Sequence, residues 1–304
     1  MSSKTAKLLT CSMEKDLDLA RMLFRTVDDH VSPDIEHIVV VPAKSIPAFK
    51  QFGSNRRQIV AQEDVLPERF IKLPASLSHL SHFAEGFRRP LYLSRGPRLV
   101  RGWVLQQMIK LEFTRNTSAD AVVHTDSDVA FIKPFGIEDV FIEGLPRFFS
   151  VAGDIKNPLF RQWCDTAGSL LDIEVPAEFR NHFVGNCIVW SPSVVRALYD
   201  AVEQATGQSL CYQIKRLPNL SEYTIYGVFA ELSPLNLPIR TAELPLCFTV
   251  WHSNQTNITA DHVIGRLKGP HRAFAIQSTV DLPIGERARL IDEVTHKLYP
   301  MTAA

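Results

Sequence analysis

The sequence lacks an excess of either charge. It contains 33 lysine and arginine residues and 33 aspartate and glutamate residues, so the formal net charge is zero. Domains that bind nucleic acid usually carry a basic balance or a basic stripe. We therefore expect no nucleic acid among the partners of this protein.

Long hydrophobic runs are absent as well. No stretch reaches the roughly 18 apolar residues that suggest a membrane-spanning helix. The N-terminal residues lead straight into Leu8-Leu9 without the long apolar region of a signal peptide. The sequence predicts a cytoplasmic protein, and any membrane contact would be peripheral, at the inner face.

Cysteine is scarce, and three common enzyme motifs are missing. The five cysteines are scattered without Cys-X-X-Cys spacing, which predicts reduced core thiols. The patterns Gly-X-Gly-X-X-Gly, Walker A and Gly-X-Ser-X-Gly do not occur. These absences argue against a dinucleotide-binding dehydrogenase, a P-loop NTPase and an α/β-hydrolase.

An alternation of strand and helix patterns is present. Apolar patterns typical of strands occur at residues 8–12, 35–41 and 59–60. A helical pattern at residues 14–27 separates the first two. Repeated β-α-β alternation predicts an α/β fold with a mostly parallel central sheet flanked by helices. The proline-rich residues 65–100 are interpreted as a loop.

Two acids follow a strongly apolar strand pattern. Ala121-Val122-Val123 is typical of a strand buried on both faces, and Asp126 and Asp128 come shortly after it. In open α/β sheets ligands bind beyond the carboxyl ends of the strands. Side chains two residues apart in an extended segment point the same way, so both carboxylates can hold one hard cation such as Mn²⁺ or Mg²⁺. The structural alternative is a solvated turn.

A helix pattern before this strand carries a polar stripe. Trp103, Gln106, Gln107 and Lys110 have the spacing of one helical face. Such a stripe suits sugar hydroxyls and phosphate, and the alternative is a partly exposed helix face. A basic stretch lies just before it, which could hold a diphosphate, an anionic acceptor or a membrane surface, or be a solvated loop. Its arginines are Arg88, Arg89, Arg95, Arg98 and Arg101.

Other polar residues also fall at strand ends or helix starts. Thr10 and Ser12 end the first strand pattern, where they either line the same sheet edge as the Asp pair or cap a helix. Asn186 precedes a core strand and is either a sugar contact or part of an ordinary turn. Glu222 follows Ser221, where it is either a carboxylate favoured at a helix N-terminus or a general base.

Thr125-Asp126-Ser127-Asp128 resembles the Asp-X-Asp motif of GT-A-fold glycosyltransferases. Together with Gly102-Trp103-X-X-Gln106-Gln107 and Ser221-Glu222-Tyr223, it also resembles a group of bacterial proteins, the DUF6492 family, across most of the chain. The resemblance implies one GT-A-like domain over residues 1–304. Residues 1–135 would form the half that binds nucleotide-sugar and metal. Residues 136–304 would form the acceptor-side half with a C-terminal helix.

The resemblance also implies roles for single residues. Asp126 and Asp128 would bind Mn²⁺ or Mg²⁺, with His252 as third ligand and His271 as the alternative. Glu222 and Asp128 would be catalytic. The donor would be contacted by Thr10, Ser12, Arg101, Trp103, Gln106, Lys110, Asp126 and Asn186.

The function implied is a metal-dependent glycosyltransferase that moves a sugar from a nucleotide-sugar, with a UDP-sugar favoured, to a glycan, glycolipid or other hydroxyl acceptor. If Glu222 is a base opposite the leaving group, the reaction inverts; otherwise a retaining route is open. The basic loop or the C-terminal helix, residues 286–298, would make any peripheral membrane contact. Two alternatives stay open: a nucleotidyltransferase or phosphohydrolase that uses the same Asp pair, and a non-catalytic nucleotide-sugar or glycan-binding protein on the same scaffold.

Overall fold

A computed structural model describes residues 4–74, 91–94, 98–153, 158–217, 219–251 and 258–299. The strands in these ranges are β1 Ala6–Cys11, β2 Glu36–Val41, β3 Arg57–Ala61, β4 Ile71–Lys72, β5 Leu91–Ser94, β6 Arg98–Arg101, β7 Ala121–Thr125, β8 Val129–Phe131, β9 Phe141–Ile142, β10 Leu145–Phe149, β11 Val151–Ala152, β12 Asn181–His182, β13 Ile188–Trp190, β14 Arg240–Ala242, β15 Cys247–Val250 and β16 Ala273–Ile276.

The helices are α1 Leu17–His30, α2 Ile46–Phe49, α3 Gln62–Val65, α4 Gly102–Asn116, α5 Ile137–Val140, α6 Pro158–Leu171, α7 Pro192–Thr206, α8 Leu210–Ile214, α9 Glu222–Leu232, α10 Ala260–Arg266 and α11 Ile284–Leu298. Short 3-10 turns occur at Glu14–Asp16, Ala43–Ser45 and Lys50–Phe52.

A five-stranded sheet with the order β13-β7-β1-β2-β3 forms the centre of the fold. Strands β7, β1, β2 and β3 are mutually parallel, and only β13 runs antiparallel, at the edge beside β7. The apolar runs of β1, β2 and β7 are buried on both faces, as central parallel strands are. The predicted α/β architecture, with a parallel-rich central sheet flanked by helices, is confirmed.

Helices cover the two faces of this sheet. One core cluster joins alternate strand residues such as Leu9 and Val122 to helices α4, α6, α7 and α9. A second cluster joins the other set, such as Leu8 and Val123, to helix α1. A third lies between β8, β16 and helices α10 and α11. Alternation along the strands therefore divides the core into layers.

The C-terminal helix packs onto the protein. Leu290, Ile291 and Val294 of α11 are buried in the third core cluster. Its apolar face is therefore occupied by the core rather than presented to a bilayer. Among the described helices, none is long and apolar enough to cross a membrane.

The interpretation of residues 65–100 as a loop is wrong in part. Strands β4, β5 and β6 form a three-stranded antiparallel sheet. Tyr92 and Val100 pair directly across β5 and β6, and both are buried. Such cross-strand pairs of apolar residues stabilise a short sheet, and Pro67 and Pro74 lie outside its strands. Arg88, Arg89 and Arg95 lie outside the described residues.

One glycine of α9 is required because the helix closely contacts the segment that precedes β13. A Cβ atom added at Gly227 would overlap the ring of Phe183, a buried core residue. Overpacking a filled core typically costs about 1–3 kcal/mol. We predict that Gly227→Ala lowers the free energy of unfolding by about this amount in urea denaturation.

The matched control is Gly265→Ala in α10. A Cβ there would meet no atom within 4 Å, so the same substitution should be neutral or slightly stabilising because alanine favours helix. Equal effects at the two positions would contradict the packing argument.

Candidate functional site

The two aspartates lie in a turn between β7 and β8. Val129 donates its backbone N–H to the carbonyl of Asp126, at 3.4 Å. Ser127 Oγ donates to Ser12 Oγ, at 2.9 Å, which joins the turn to the end of β1. The expectation of an extended segment is therefore wrong. The chain turns here because β8 leaves the central sheet and pairs antiparallel with β16.

Asp126 faces helix α4. Its side chain is 41% exposed. Gln106 Nε2 donates to Asp126 Oδ1 at 3.3 Å, and Lys110 Nζ lies 3.7 Å from the same oxygen. The helix places both residues on this side because they are four positions apart, one turn of helix. Asp126 is thus an accessible carboxylate with a cation directly behind it.

Lys110 is buried at the junction of three elements. Its side chain is only 5% exposed, and that of Glu222 only 3%. Lys110 Nζ donates to Glu222 Oε1 at 3.2 Å and to the Tyr223 hydroxyl at 2.9 Å. Burial disfavours the ammonium, but Tyr223, Asp126 and Glu222 outweigh it and raise the pKa of Lys110 well above its usual value. The amine is therefore a fixed positive charge at neutral pH.

Glu222 opens helix α9, as expected, but its carboxylate points to Lys110. Burial raises the pKa of Glu222, and the ammonium of Lys110 opposes that rise. Ser221 makes no side-chain cap at this helix start. In this arrangement Glu222 orients Lys110, and its role as a general base at an acceptor stays a prediction.

Asp128 lies on the other side of the turn. Its Oδ2 accepts the backbone N–H of Ser278 at 2.9 Å, whereas its Oδ1 is buried and has no hydrogen-bond partner among the described residues. Burial, and then the charge of Asp126, raise the pKa of Asp128 to about 7. A buried carboxylate oxygen without a donor has the coordination capacity that a cation would satisfy.

Arg287 holds the segment that reaches Asp128. Its guanidinium is buried and donates to four backbone carbonyls, those of Ile276, Gln277, Val280 and Leu282. These contacts fix the turn after β16, and that turn presents the Ser278 N–H. Arg287 is therefore a positioning residue for Asp128.

Thr10 lies below the surface of this edge. It pairs in register with Thr125 of β7 and is fully buried. Arg57 Nε donates to His37 Nδ1 at 3.2 Å, which leaves the ring proton on Nε2, 2.9 Å from Thr10 Oγ1. Burial and Arg57 lower the pKa of His37 well below its usual value, so the ring is neutral. His37 thus donates to the Thr10 hydroxyl.

The remaining donor-contact candidates are more spread out. Asn186 is buried, and its Nδ2 donates to Thr249 Oγ1 of β15 at 3.4 Å. Trp103 is half-buried one turn before Gln106 and packs on the first core cluster. Arg101 is half-buried at the end of β6, directly before α4.

Of the two histidine candidates only His271 is described, and no contact that the structure describes joins it to the Asp pair. His252 lies outside the described residues. His271 is buried, and its Nδ1 accepts the backbone N–H of Lys268 at 2.9 Å. Within the described residues no group of three or more His, Cys, Asp or Glu side chains is placed to hold a metal ion. The identity of a third protein ligand stays a prediction.

The Asp pair nevertheless has the chemistry that a divalent cation accepts. Mg²⁺ often binds one or two protein carboxylates and completes its shell with water and substrate phosphate oxygens. Asp126 offers an accessible carboxylate, and Asp128 a buried oxygen without a donor. Each of the two residues therefore has a carboxylate oxygen of the kind that such an ion binds.

Sequence reasoning missed three participants. Tyr223 entered only as part of a motif, although its hydroxyl holds Lys110. Ser127, the middle residue of the motif, binds Ser12. Arg287 has a detectable signal, because it falls on the same helical face as Leu290, Ile291 and Val294, and a charge on an apolar face needs a partner.

Removing Lys110 should lower the stability of the protein, because it leaves a buried charge without its partner. Lys110→Met leaves Glu222 buried and unpaired, which typically costs about 3–5 kcal/mol. We expect urea denaturation to show a loss of this order for Lys110→Met. The double variant Lys110→Met/Glu222→Gln should lose clearly less than the sum of the two single variants.

The control is the exposed ion pair of Lys297 and Asp261, which is 2.6 Å long. Lys297→Met should cost less than about 1 kcal/mol, as exposed pairs do. If the losses of stability in Lys110→Met and Glu222→Gln simply add in the double variant, the two residues are not energetically coupled and the prediction is wrong.

Because the pKa of Asp128 is raised, we predict that replacing it with a neutral residue raises the free energy of unfolding by an amount that depends on pH. A carboxyl whose folded pKa is above its unfolded value binds more protons in the folded state, so stability falls as pH rises from about 4 to the folded pKa of about 7. In the presence of a chelator, Asp128→Asn should therefore raise the free energy of unfolding, and more at pH 8 than at pH 5. A gain of about 1 kcal/mol or more at pH 8 is expected.

The control is Asp292→Asn, at a side chain that is 62% exposed, where no burial penalty is removed. A loss of stability for Asp128→Asn at pH 8, with the chelator present, would contradict the burial penalty.

Comparison with known proteins identifies the family to which the chain belongs. A search of curated proteins finds no match. A family model matches residues 6–298, nearly the whole chain. The protein belongs to DUF6492, a family of unknown function.

Proposed function

We propose that the protein is a metal-dependent glycosyltransferase with a GT-A-like single-domain fold. It transfers a sugar from a nucleotide-sugar, with a UDP-sugar favoured, to a hydroxyl of a glycan, glycolipid or other acceptor. The observation that carries the proposal is the Asp126–Asp128 turn at the carboxyl end of a central parallel strand, with the buried ammonium of Lys110 beside it. This is the edge where open α/β sheets bind ligands.

The donor half comprises residues 1–135 and the acceptor half residues 136–304. Strands β1, β2, β3 and β7 all belong to the donor half, and their parallel arrangement supports a nucleotide site at their carboxyl ends. The Ser127–Ser12 hydrogen bond keeps the motif at the end of β1. The acceptor half adds β13, β15, β16 and α9 around the same edge.

The reaction breaks the bond between the sugar's anomeric carbon and the diphosphate oxygen, and forms a bond from that carbon to the acceptor hydroxyl. Asp126 and Asp128 would hold Mn²⁺ or Mg²⁺, which would supply Lewis-acid stabilisation of the departing diphosphate. Lys110 adds a buried, fixed positive charge beside Asp126, and a charge that is already in place costs no reorganisation during the reaction. Gln106 keeps Asp126 oriented.

The hydroxyl proton needs an acceptor. Lys110 engages Oε1 of Glu222 and the side chain is buried, so an inverting route with Glu222 as base requires the acceptor hydroxyl to reach this carboxylate. In a retaining route the departing diphosphate oxygen takes the hydroxyl proton, and Glu222 stays with Lys110. Inversion at the anomeric carbon is therefore the outcome expected with Glu222 as base, and retention the outcome expected without it.

Thermal-shift measurements with nucleotide-sugars test the proposal. Wild type is measured with UDP-, GDP-, CMP- and dTDP-sugars, each with and without Mn²⁺ or Mg²⁺. A ligand that binds only the folded state stabilises it by about 2.7 kcal/mol at a hundredfold excess over Kd. We expect one nucleotide class to raise Tm only with metal, and Asp126→Ala/Asp128→Ala to lose this shift.

The exposed pair Asp18→Ala/Asp292→Ala is the control and should keep the shift. Mass spectrometry of the incubated donor then separates the rivals: a nucleotidyltransferase or phosphohydrolase turns over nucleotide or phosphate without sugar transfer. A non-catalytic binder gives a shift that survives Asp128→Asn and forms no product. No shift with any donor and metal would overturn the reading of the Asp pair.

A further inference from the structure

A second and larger cleft lies near the Asp pair. It has a volume of about 530 Å³, whereas the space described beside Asp128 and Arg287 holds only about 10 Å³. Pockets for small molecules typically span roughly 300–1,000 Å³. The cleft is lined by residues of β15, by the end of α10 with Leu267, Lys268 and His271 after it, and by His182, Val184 and Gly185 before β13. Its size suits a bound sugar or short oligosaccharide rather than a flat membrane surface.

The lining of the cleft combines aromatic rings with positive charge. Trp251, which is 41% exposed, and Phe248 provide aromatic faces. Arg266 and Lys268 are exposed cations, and the guanidinium of Arg266 lies 5.9 Å from the centre of the Phe248 ring. No aspartate or glutamate is among the described lining residues. A cleft lined by one sign of charge concentrates ligands of the opposite sign.

The β-sheet register connects this cleft to the Asp pair. Thr249, in the wall of the cleft, pairs with Ala275 of β16, and Ala275 pairs with Val129, the residue after Asp128. Two strand spacings amount to about 10 Å. Asn186 adds a second link through its hydrogen bond to Thr249. The wall of the cleft therefore lies about two strand spacings from the residue that follows Asp128.

We propose that this cleft binds the acceptor, and that the acceptor is a carbohydrate carrying a carboxylate or a phosphate. The aromatic rings stack on the apolar face of a sugar ring, as amphipathic aromatic surfaces do. Arg266 and Lys268 neutralise its negative charge. The acceptor role rests on the proposed glycosyltransferase function, but binding of the charged sugar needs neither donor nor metal.

Ligand-observed saturation-transfer NMR without nucleotide or metal tests the proposal. The probes are oligogalacturonate for carboxylate, glucose 6-phosphate for phosphate and maltotetraose as the neutral sugar. Wild type should bind one or both charged probes and prefer them to maltotetraose. Arg266→Gln/Lys268→Gln should weaken that binding about tenfold or more, since the charge-assisted contacts are lost. Trp251→Ala should weaken it as well.

The matched control is Lys15→Gln/Arg289→Gln, which removes two exposed cations outside the cleft and should leave binding unchanged. Equal binding of maltotetraose, binding that survives Arg266→Gln/Lys268→Gln, or no binding of any probe would overturn the proposal. Capture by phosphatidylglycerol vesicles in the absence of sugar binding would overturn it in favour of a membrane surface.

The two proposals fail separately. Asp126→Ala/Asp128→Ala should keep charged-sugar binding while losing the donor-dependent thermal shift. A donor shift without charged-sugar binding overturns the cleft assignment alone. Charged-sugar binding without any donor shift overturns the glycosyltransferase function and, with it, the acceptor role of the cleft.

Discussion

The buried ammonium of Lys110 is the constraint on which this edge of the molecule depends. Helix α4 is enclosed by the sheet and by α7, α8 and α9, so its polar residues have little access to water. A charge in such a place must be matched, or its desolvation costs several kcal/mol. Glu222 and Tyr223 from α9, and Asp126 from the turn after β7, provide that match. One side chain thereby joins the first half of the chain to the second.

The parts of the fold that the sequence predicts are those with local signals. Continuous apolar runs give β1, β2 and β7, because strands buried on both faces need no alternation. Helix α6 spans Pro158–Leu171, and its apolar residues follow helical spacing. Helix α7 begins with Pro192 and is followed by Gly207, whose φ of 68° is in the left-handed region that favours glycine after a helix. In each case a few neighbouring residues carry the information.

The geometry of the site depends on segments far apart in the chain, and sequence pattern alone did not supply it. The Asp pair itself was found, but its turn exists because β8 pairs with β16. Asp128 receives its hydrogen bond from Ser278, which Arg287 holds in place from α11. Glu222 was expected at a helix start, yet its carboxylate belongs to Lys110. The partner of a buried polar residue is set by tertiary contacts, and the local periodicity of the sequence does not specify those contacts.

Asp126 and Asp128 have different surroundings, although they are only two residues apart. Asp126 is accessible and already lies beside a cation, whereas Asp128 is held by a backbone N–H with one oxygen left without a donor. Burial and its neighbour's charge raise the pKa of Asp128, so its ionised form lowers the stability of the folded chain near neutral pH. A local cost of this kind is expected at a functional site. A cation bound by both carboxylates would relieve it, and binding would then stabilise the fold and release a proton.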